Sequence, residues 1–113
     1  MEQHYKLDKI KDLADNDLEF IQVLAQTFLE EVPADARLLE IAVVSKDYLA
    51  TYQSAHKMKP TIELFELGVL EDLIEVQDWG KFEQKDKDIT SKLNIVLEAV
   101  ERAVKEIKED FNI

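Results

Sequence analysis

Apolar side chains recur along this chain at the spacing of a helix, not at the alternation of a strand. Leu7, Ile10, Leu13 and Ala14 mark a short N-terminal helix that ends near Asp15. Asn16-Asp17-Leu18-Glu19 has the form of a capping box, with a glutamate three residues after a side-chain acceptor, and it opens a stripe of Leu18, Ile21, Leu24, Ala25, Phe28 and Val32. Pro33 follows. Lacking an N–H and fixing φ, it either kinks this helix or starts another as its first residue. The stripe resumes with Leu38, Ile41 and Ala42 to about Val44, and Ser45-Lys46-Asp47 is a short turn whose aspartate can cap what comes next.

The next helix carries Tyr48, Ala55 and Ile62 on one face, with Met58 and Phe65 slightly offset. After a pause at Gly68, Val69, Leu70, Leu73, Ile74 and Val76 form another. Gln77-Asp78-Trp79-Gly80 and the charged run Lys85-Asp86-Lys87-Asp88 flank a loop or a frayed helix end. The last helix is the clearest, since Ile89, Leu93, Val96, Leu97, Val100, Val104, Ile107 and Phe111 hold the helical period. Its solvent face sets Glu98 against Arg102 and Glu101 against Lys105, which is ordinary i, i+4 support. Four long amphipathic segments with short connections predict an all-α fold, an antiparallel up-and-down four-helix bundle with a short extra N-terminal helix. Residues 1–113 are too few for a second domain.

Composition narrows the chemistry. Two glycines and two prolines leave too little punctuation for a sandwich or barrel, and glycine at positions 68 and 80 alone builds neither a P-loop nor a GxGxxG turn. Cysteine is absent, which removes disulfides, thiolate metal sites and cysteine nucleophiles and fits a reducing cytoplasm. The longest apolar run, Ile41 to Val44, is far short of the roughly 20 residues of a membrane helix, and the N-terminus has no apolar signal region. A soluble cytoplasmic protein is expected, and the ends of the chain lean towards a free-standing one. A net charge of −11 repels the phosphate backbone of nucleic acid.

His4 and His56 are the side chains able to act near neutral pH, and His4 lies where chain order is lowest. Around His56, the helical positions that could share a metal ion hold Tyr52, Gln53, Lys59 and Pro60, a poor ligand set. Ser54 points to another side of the helix, and there is no glycine turn for an oxyanion hole. What remains is the imidazole itself as a nucleophile, or a boundary histidine that only hydrogen-bonds a neighbour. With Ala55 at the centre of the buried face, His56 falls about 100° off that centre and Lys59 about 40° off on the same side. Lys59 can thus bring its ammonium beside the ring, where a phosphoryl group would be held, while Lys57 swings to the opposite side as a solvated charge.

Ala55-His56-Lys57-Met58-Lys59, in an acidic helical chain of this length, resembles the histidine-containing phosphotransfer (HPt) domain. That family's signature is a small residue, histidine, any residue, a large aliphatic, lysine and a small residue, usually glycine. The likeness takes in Phe28-Leu29-Glu30-Glu31 upstream and the Lys46-Asp47 turn, and covers roughly residues 7 to 108. It departs at Pro60, where glycine is usual, and at Glu66, where glycine is also common and this chain's glycine comes two residues later. Both proline and glycine leave the space beside the imidazole free of a long side chain, but Pro60 cannot donate to the His56 carbonyl and should bend the helix.

The resemblance implies a monomeric carrier, not an enzyme, relaying a phosphoryl group between aspartates of receiver domains in a two-component phosphorelay. Its partners would be response-regulator receivers and a hybrid sensor kinase, not nucleic acid or a membrane. It would need no cofactor of its own, the magnesium ion being the receiver's. His56 would accept the phosphoryl group as phosphohistidine and Lys59 would offset its charge. Gln77 or Asp78 would orient the imidazole through its other nitrogen, and Pro60, Leu49, Tyr52 and the Phe28-Leu29 region are candidates for the docking surface. The rival readings are a degenerate HPt-like bundle that binds a receiver without being phosphorylated and an unrelated helical adaptor.

Overall fold

The computed structural model describes residues 5–113, so His4 lies outside the described residues. Five helices follow in order, α1 (Asp8–Ala14), α2 (Leu18–Val44), α3 (Tyr48–Leu64), α4 (Leu70–Lys81) and α5 (Thr90–Phe111), with no strand among the described residues. The cap of α2 is Asp17, one residue later than the sequence pattern suggests. Its Oδ1 accepts from the N–H groups of Glu19 at 3.1 Å and Phe20 at 3.4 Å, while left-handed Asp15 closes α1 and Asn16 after it is left-handed as well. Leu18 therefore sits in the first turn, 78% exposed. Pro33 neither ends nor restarts the helix, and the helical phase runs unbroken through it. Val32, Ala36, Leu39 and Val43 continue one buried row, whereas Leu38 and Ile41, expected on the stripe resumed after Pro33, are exposed.

Four helices end alike, and none of them uses glycine; α1 closes with Asp15 N–H on Asp12 O and Asn16 N–H on Lys11 O, Asp15 having φ 50°. At the end of α2, Lys46 N–H bonds to Val43 O and Asp47 N–H to Ala42 O, and Lys46 has φ 56°. The end of α3 repeats this pattern with Glu66 to Glu63 and Leu67 to Ile62, and that of α4 with Glu83 to Gly80 and Gln84 to Trp79. Each is a Schellman motif, in which the residue after the cap must be left-handed, a conformation that favours glycine. Here Asp15, Lys46, Glu66 and Glu83 fill it. This accounts for Glu66, since the position wants glycine for its backbone and not for any contact.

Asp47 caps α3 by accepting from Ala50 N–H at 3.0 Å, and α3 continues through Pro60 to Leu64. The quartet Gln77-Asp78-Trp79-Gly80 forms the ordered last turn of α4, which ends at Lys81. Trp79 is 4% exposed, its ring 4.7 Å from Tyr48 and its Nε1–H donating to Lys87 O at 2.8 Å, so tertiary packing overrides the weak helix propensity of Gly80. The loop proper comes after it.

α3 packs on α2 and α4, α5 closes against α2 and α4, and α1 lies on α2. The shared core includes Ile10, Phe28, Leu39, Met58, Ile62, Phe65, Leu73, Val96 and Ile107, each almost wholly buried. Phe28 packs on Phe65 at 4.7 Å. The chain before α1 is tied down by Lys6 N–H to Phe65 O at 2.8 Å and by Tyr5 OH to Asp110 Oδ2 at 2.6 Å. Among the described residues no helix is long and apolar enough to cross a membrane.

Candidate functional site

Ala55 and Met58 are buried to 0% and 1% exposure, which fixes the rotation of α3 and leaves His56 between them at the exposed rim beside α4. One turn earlier on the same side is Tyr52, whose ring stacks on the imidazole at 5.7 Å and 28°. Lys59, half-buried, stands one turn later and makes no ion pair among the described residues. Pro60 is exposed, also one turn on.

From α4 comes Gln77, a buried polar residue at 7% exposure, with its Oε1 3.4 Å from His56 Nδ1. Of the two residues the sequence leaves open for this role, Gln77 is the one within reach of the ring; Asp78, half-buried, is not hydrogen-bonded to it. The contact is at the long end of the hydrogen-bond range. An amide oxygen can only accept, so the neutral ring that satisfies it carries its proton on Nδ1 and keeps the lone pair on Nε2.

Lys57 is not simply solvated. It crosses to α2 and pairs with Asp35 at 3.0 Å, and the hydrogen bond and charge of that carboxylate raise the lysine's pKa. Asp35 itself is 8% exposed, so the pair ties the far side of α3 to α2 and leaves the His56 side with Lys59 as its cation.

Between the start of α3 and the end of α4 a groove of about 520 Å³ opens, lined by Lys46, Tyr48, Leu49, Tyr52, Gly80 and Lys81. Leu49 at 65% exposure and Tyr52 thus border the His56 stripe, whereas Phe28 is a core residue and Leu29 packs half-buried against the core. Sequence reasoning passed over Lys46, Lys81 and Gly80. An isolated glycine beside a tryptophan in an apolar repeat was the available signal for the last, because it marks close helix approach as readily as a helix end.

No family model, no curated protein and no solved structure matches this chain.

Proposed function

We propose that the chain is a histidine phosphotransfer protein, in which α2 to α5 form an antiparallel up-and-down four-helix bundle with α1 as an extra piece and His56 carries the phosphoryl group. Contacts of α2 with α3, α3 with α4, α4 with α5 and α5 with α2 support the ring of four. The observation that carries the function is the exposed imidazole whose Nδ1 meets the buried Gln77 Oε1, which leaves Nε2 as the free nitrogen, with Lys59 one turn on.

The donor is an aspartyl phosphate on a receiver domain. The Nε2 lone pair attacks phosphorus in line, the N–P bond forms, the P–O bond breaks, and its electron pair returns to the aspartate as carboxylate. The ring proton stays on Nδ1, where Gln77 Oε1 accepts it, so positive charge on the phosphorylated imidazole meets a fixed dipole. Lys59 offsets the phosphoryl charge. Transfer to a second receiver is the same step reversed. The bundle contributes orientation, because a histidine flanked by buried Ala55 and Met58 cannot drift along the helix axis. The donor aspartate and the magnesium ion belong to the receiver, which makes this protein a carrier between a hybrid sensor kinase and a response regulator in the cytoplasm, without an activity of its own.

The departures from the family's pattern are compatible with this role. Pro60, like glycine, puts no long side chain beside the ring, and Glu66 lies at the far end of α3, where its effect is on stability.

The test is transfer from receivers charged with acetyl phosphate to the wild type and to His56→Gln. Label should appear on the wild type alone, as acid-labile phosphohistidine. Equal label on both proteins, or none with a panel of receivers, would sink the carrier reading. If receivers bind but never transfer, the protein is a receiver-binding adaptor instead.

A further inference from the structure

We propose that Gly80 is a positioning residue: by letting α4 touch the backbone of α3 it holds Gln77 against His56, and so decides which imidazole nitrogen is free. The consequence for transfer rests on the phosphotransfer reading, but the geometry does not.

Glycine in the last turn of a helix costs roughly 1 kcal/mol relative to alanine. At Gly80 the reason for accepting this is contact. A Cβ there would lie 2.5 Å from Tyr48 O, 2.8 Å from Tyr52 N and 3.1 Å from Thr51 Cβ. The first two are backbone atoms inside α3 and cannot step aside as a flexible side chain can. The other glycine makes the contrast plain, for Gly68 has φ 78° and nothing within 4 Å, so it serves the backbone of a turn.

The contact patch, Tyr48 to Tyr52, is the turn of α3 just before His56. Gln77 is one turn before Gly80 on α4 and faces His56 itself. Ordinary contact begins at 3.4 Å, so a Cβ at 2.5 Å forces the two helices apart by up to 0.9 Å at that point. A helix moves as a rigid unit over one turn, and Gln77 moves with it. Since Nδ1 and Oε1 are already 3.4 Å apart, a retreat of this size ends the hydrogen bond and releases the tautomer. Tyr52, which stacks on the ring, sits in the same disturbed turn.

The experiment is nitrogen-15 NMR of the His56 ring in Gly80→Ala, beside Gln77→Leu, which removes the acceptor without touching the helix contact. Wild type should show Nδ1 protonated and Nε2 as the lone-pair nitrogen. Gly80→Ala and Gln77→Leu should share one altered signature, a mixture of tautomers, and both should take up phosphoryl groups roughly ten-fold or more slowly. A folded Gly80→Ala whose ring signals match the wild type overturns the proposal. Should Gly80→Ala fail to fold, Thr51→Ile adds bulk at the same contact from the α3 side and must give the altered signature, while Thr51→Val, which keeps the size, must not; wild-type ring signals in Thr51→Ile overturn the proposal equally. Because the ring signals need no phosphoryl group, a tautomer shift in a protein that no receiver phosphorylates supports the role of Gly80 and rejects the carrier.

Discussion

Replacing Glu66 with glycine should make the protein more stable. In α3's terminal Schellman motif Glu66 has φ 52°, where the Cβ of an L residue meets its own carbonyl at a cost of about 1–2 kcal/mol. Glycine removes that clash but returns about 0.5–1 kcal/mol because the unfolded chain gains freedom, so the backbone exchange alone yields about 1 kcal/mol. Glu66 carries a second penalty. Its Oε2 is buried without a hydrogen-bond partner, and relieving that half-buried carboxylate adds about 0.5–1 kcal/mol. The net expectation is about 1.5 kcal/mol, or a rise in Tm of about 6 °C for a chain of this size.

Thermal and urea unfolding followed by circular dichroism at 222 nm measure this, with an unchanged urea slope as the sign that only stability moved. Glu66→Ala separates the two contributions, since it deletes the carboxylate but keeps a Cβ at positive φ, and it should recover only the smaller one. Lys46→Gly and Glu83→Gly occupy the equivalent positions with exposed side chains and should gain the backbone part alone. A Glu66→Gly protein no more stable than Glu66→Ala would refute the strain argument. One no more stable than wild type would refute both parts.

Tyr5→Phe should cost about 1 kcal/mol at neutral pH by removing the 2.6 Å bond to Asp110. Burial and that carboxylate hold the Tyr5 pKa well above its ordinary value, so the tyrosine's contribution is whole below pH ~10 and lost above it; urea titrations of the two proteins should converge as pH rises. Lys59→Ala should slow phosphoryl transfer while leaving helix content and Tm near wild type, because this lysine makes no ion pair that the fold depends on among the described residues; a large loss of helix signal would make it structural. Trp79→Phe keeps the aromatic contact with Tyr48 but loses the bond to Lys87 O, and hydrogen exchange should rise in the Lys85–Asp88 loop before it rises in α4.

The helices were legible because burial imposes their period, and α5 shows how well that works: Ile89, Leu93, Val96, Val100 and Ile107 are all core. Phase was lost where one residue suggested a boundary that packing ignored. Pro33 reads as a kink or a new start, yet α2 passes through it in phase, and the buried residues beyond it are Leu39 and Val43, not the expected Leu38 and Ile41. The Gln77 to Gly80 quartet reads as the edge of a loop or a frayed end, and it is the last turn of α4, held in the helix by the buried indole of Trp79. The end of α2 was legible in the Ser45-Lys46-Asp47 turn, but the ends at Glu66 and Glu83 gave little sign, because each supplies a left-handed residue without the glycine that normally announces one.

At the site the division is different. The rim position of His56 followed from the face centred on Ala55, with Tyr48 and Ile62, through helical geometry alone, whereas the choice between Gln77 and Asp78 did not. These residues lie 100° apart on α4, and only the rotation of that helix against α3 selects one. That rotation is set by two neighbours that attract little notice in a sequence, a tryptophan that buries and a glycine that has no side chain to bury. Trp79 turns α4 by packing its ring on Tyr48, Gly80 lets the backbone close to contact, and the residue then brought opposite the imidazole is Gln77, an uncharged acceptor. Had the helix been rotated by one residue, Asp78 would have met Nδ1, and a carboxylate would have stabilised the protonated imidazole, which has no lone pair to offer. An amide fixes the tautomer without that competing effect, so the position of a glycine bears on whether His56 can be a nucleophile.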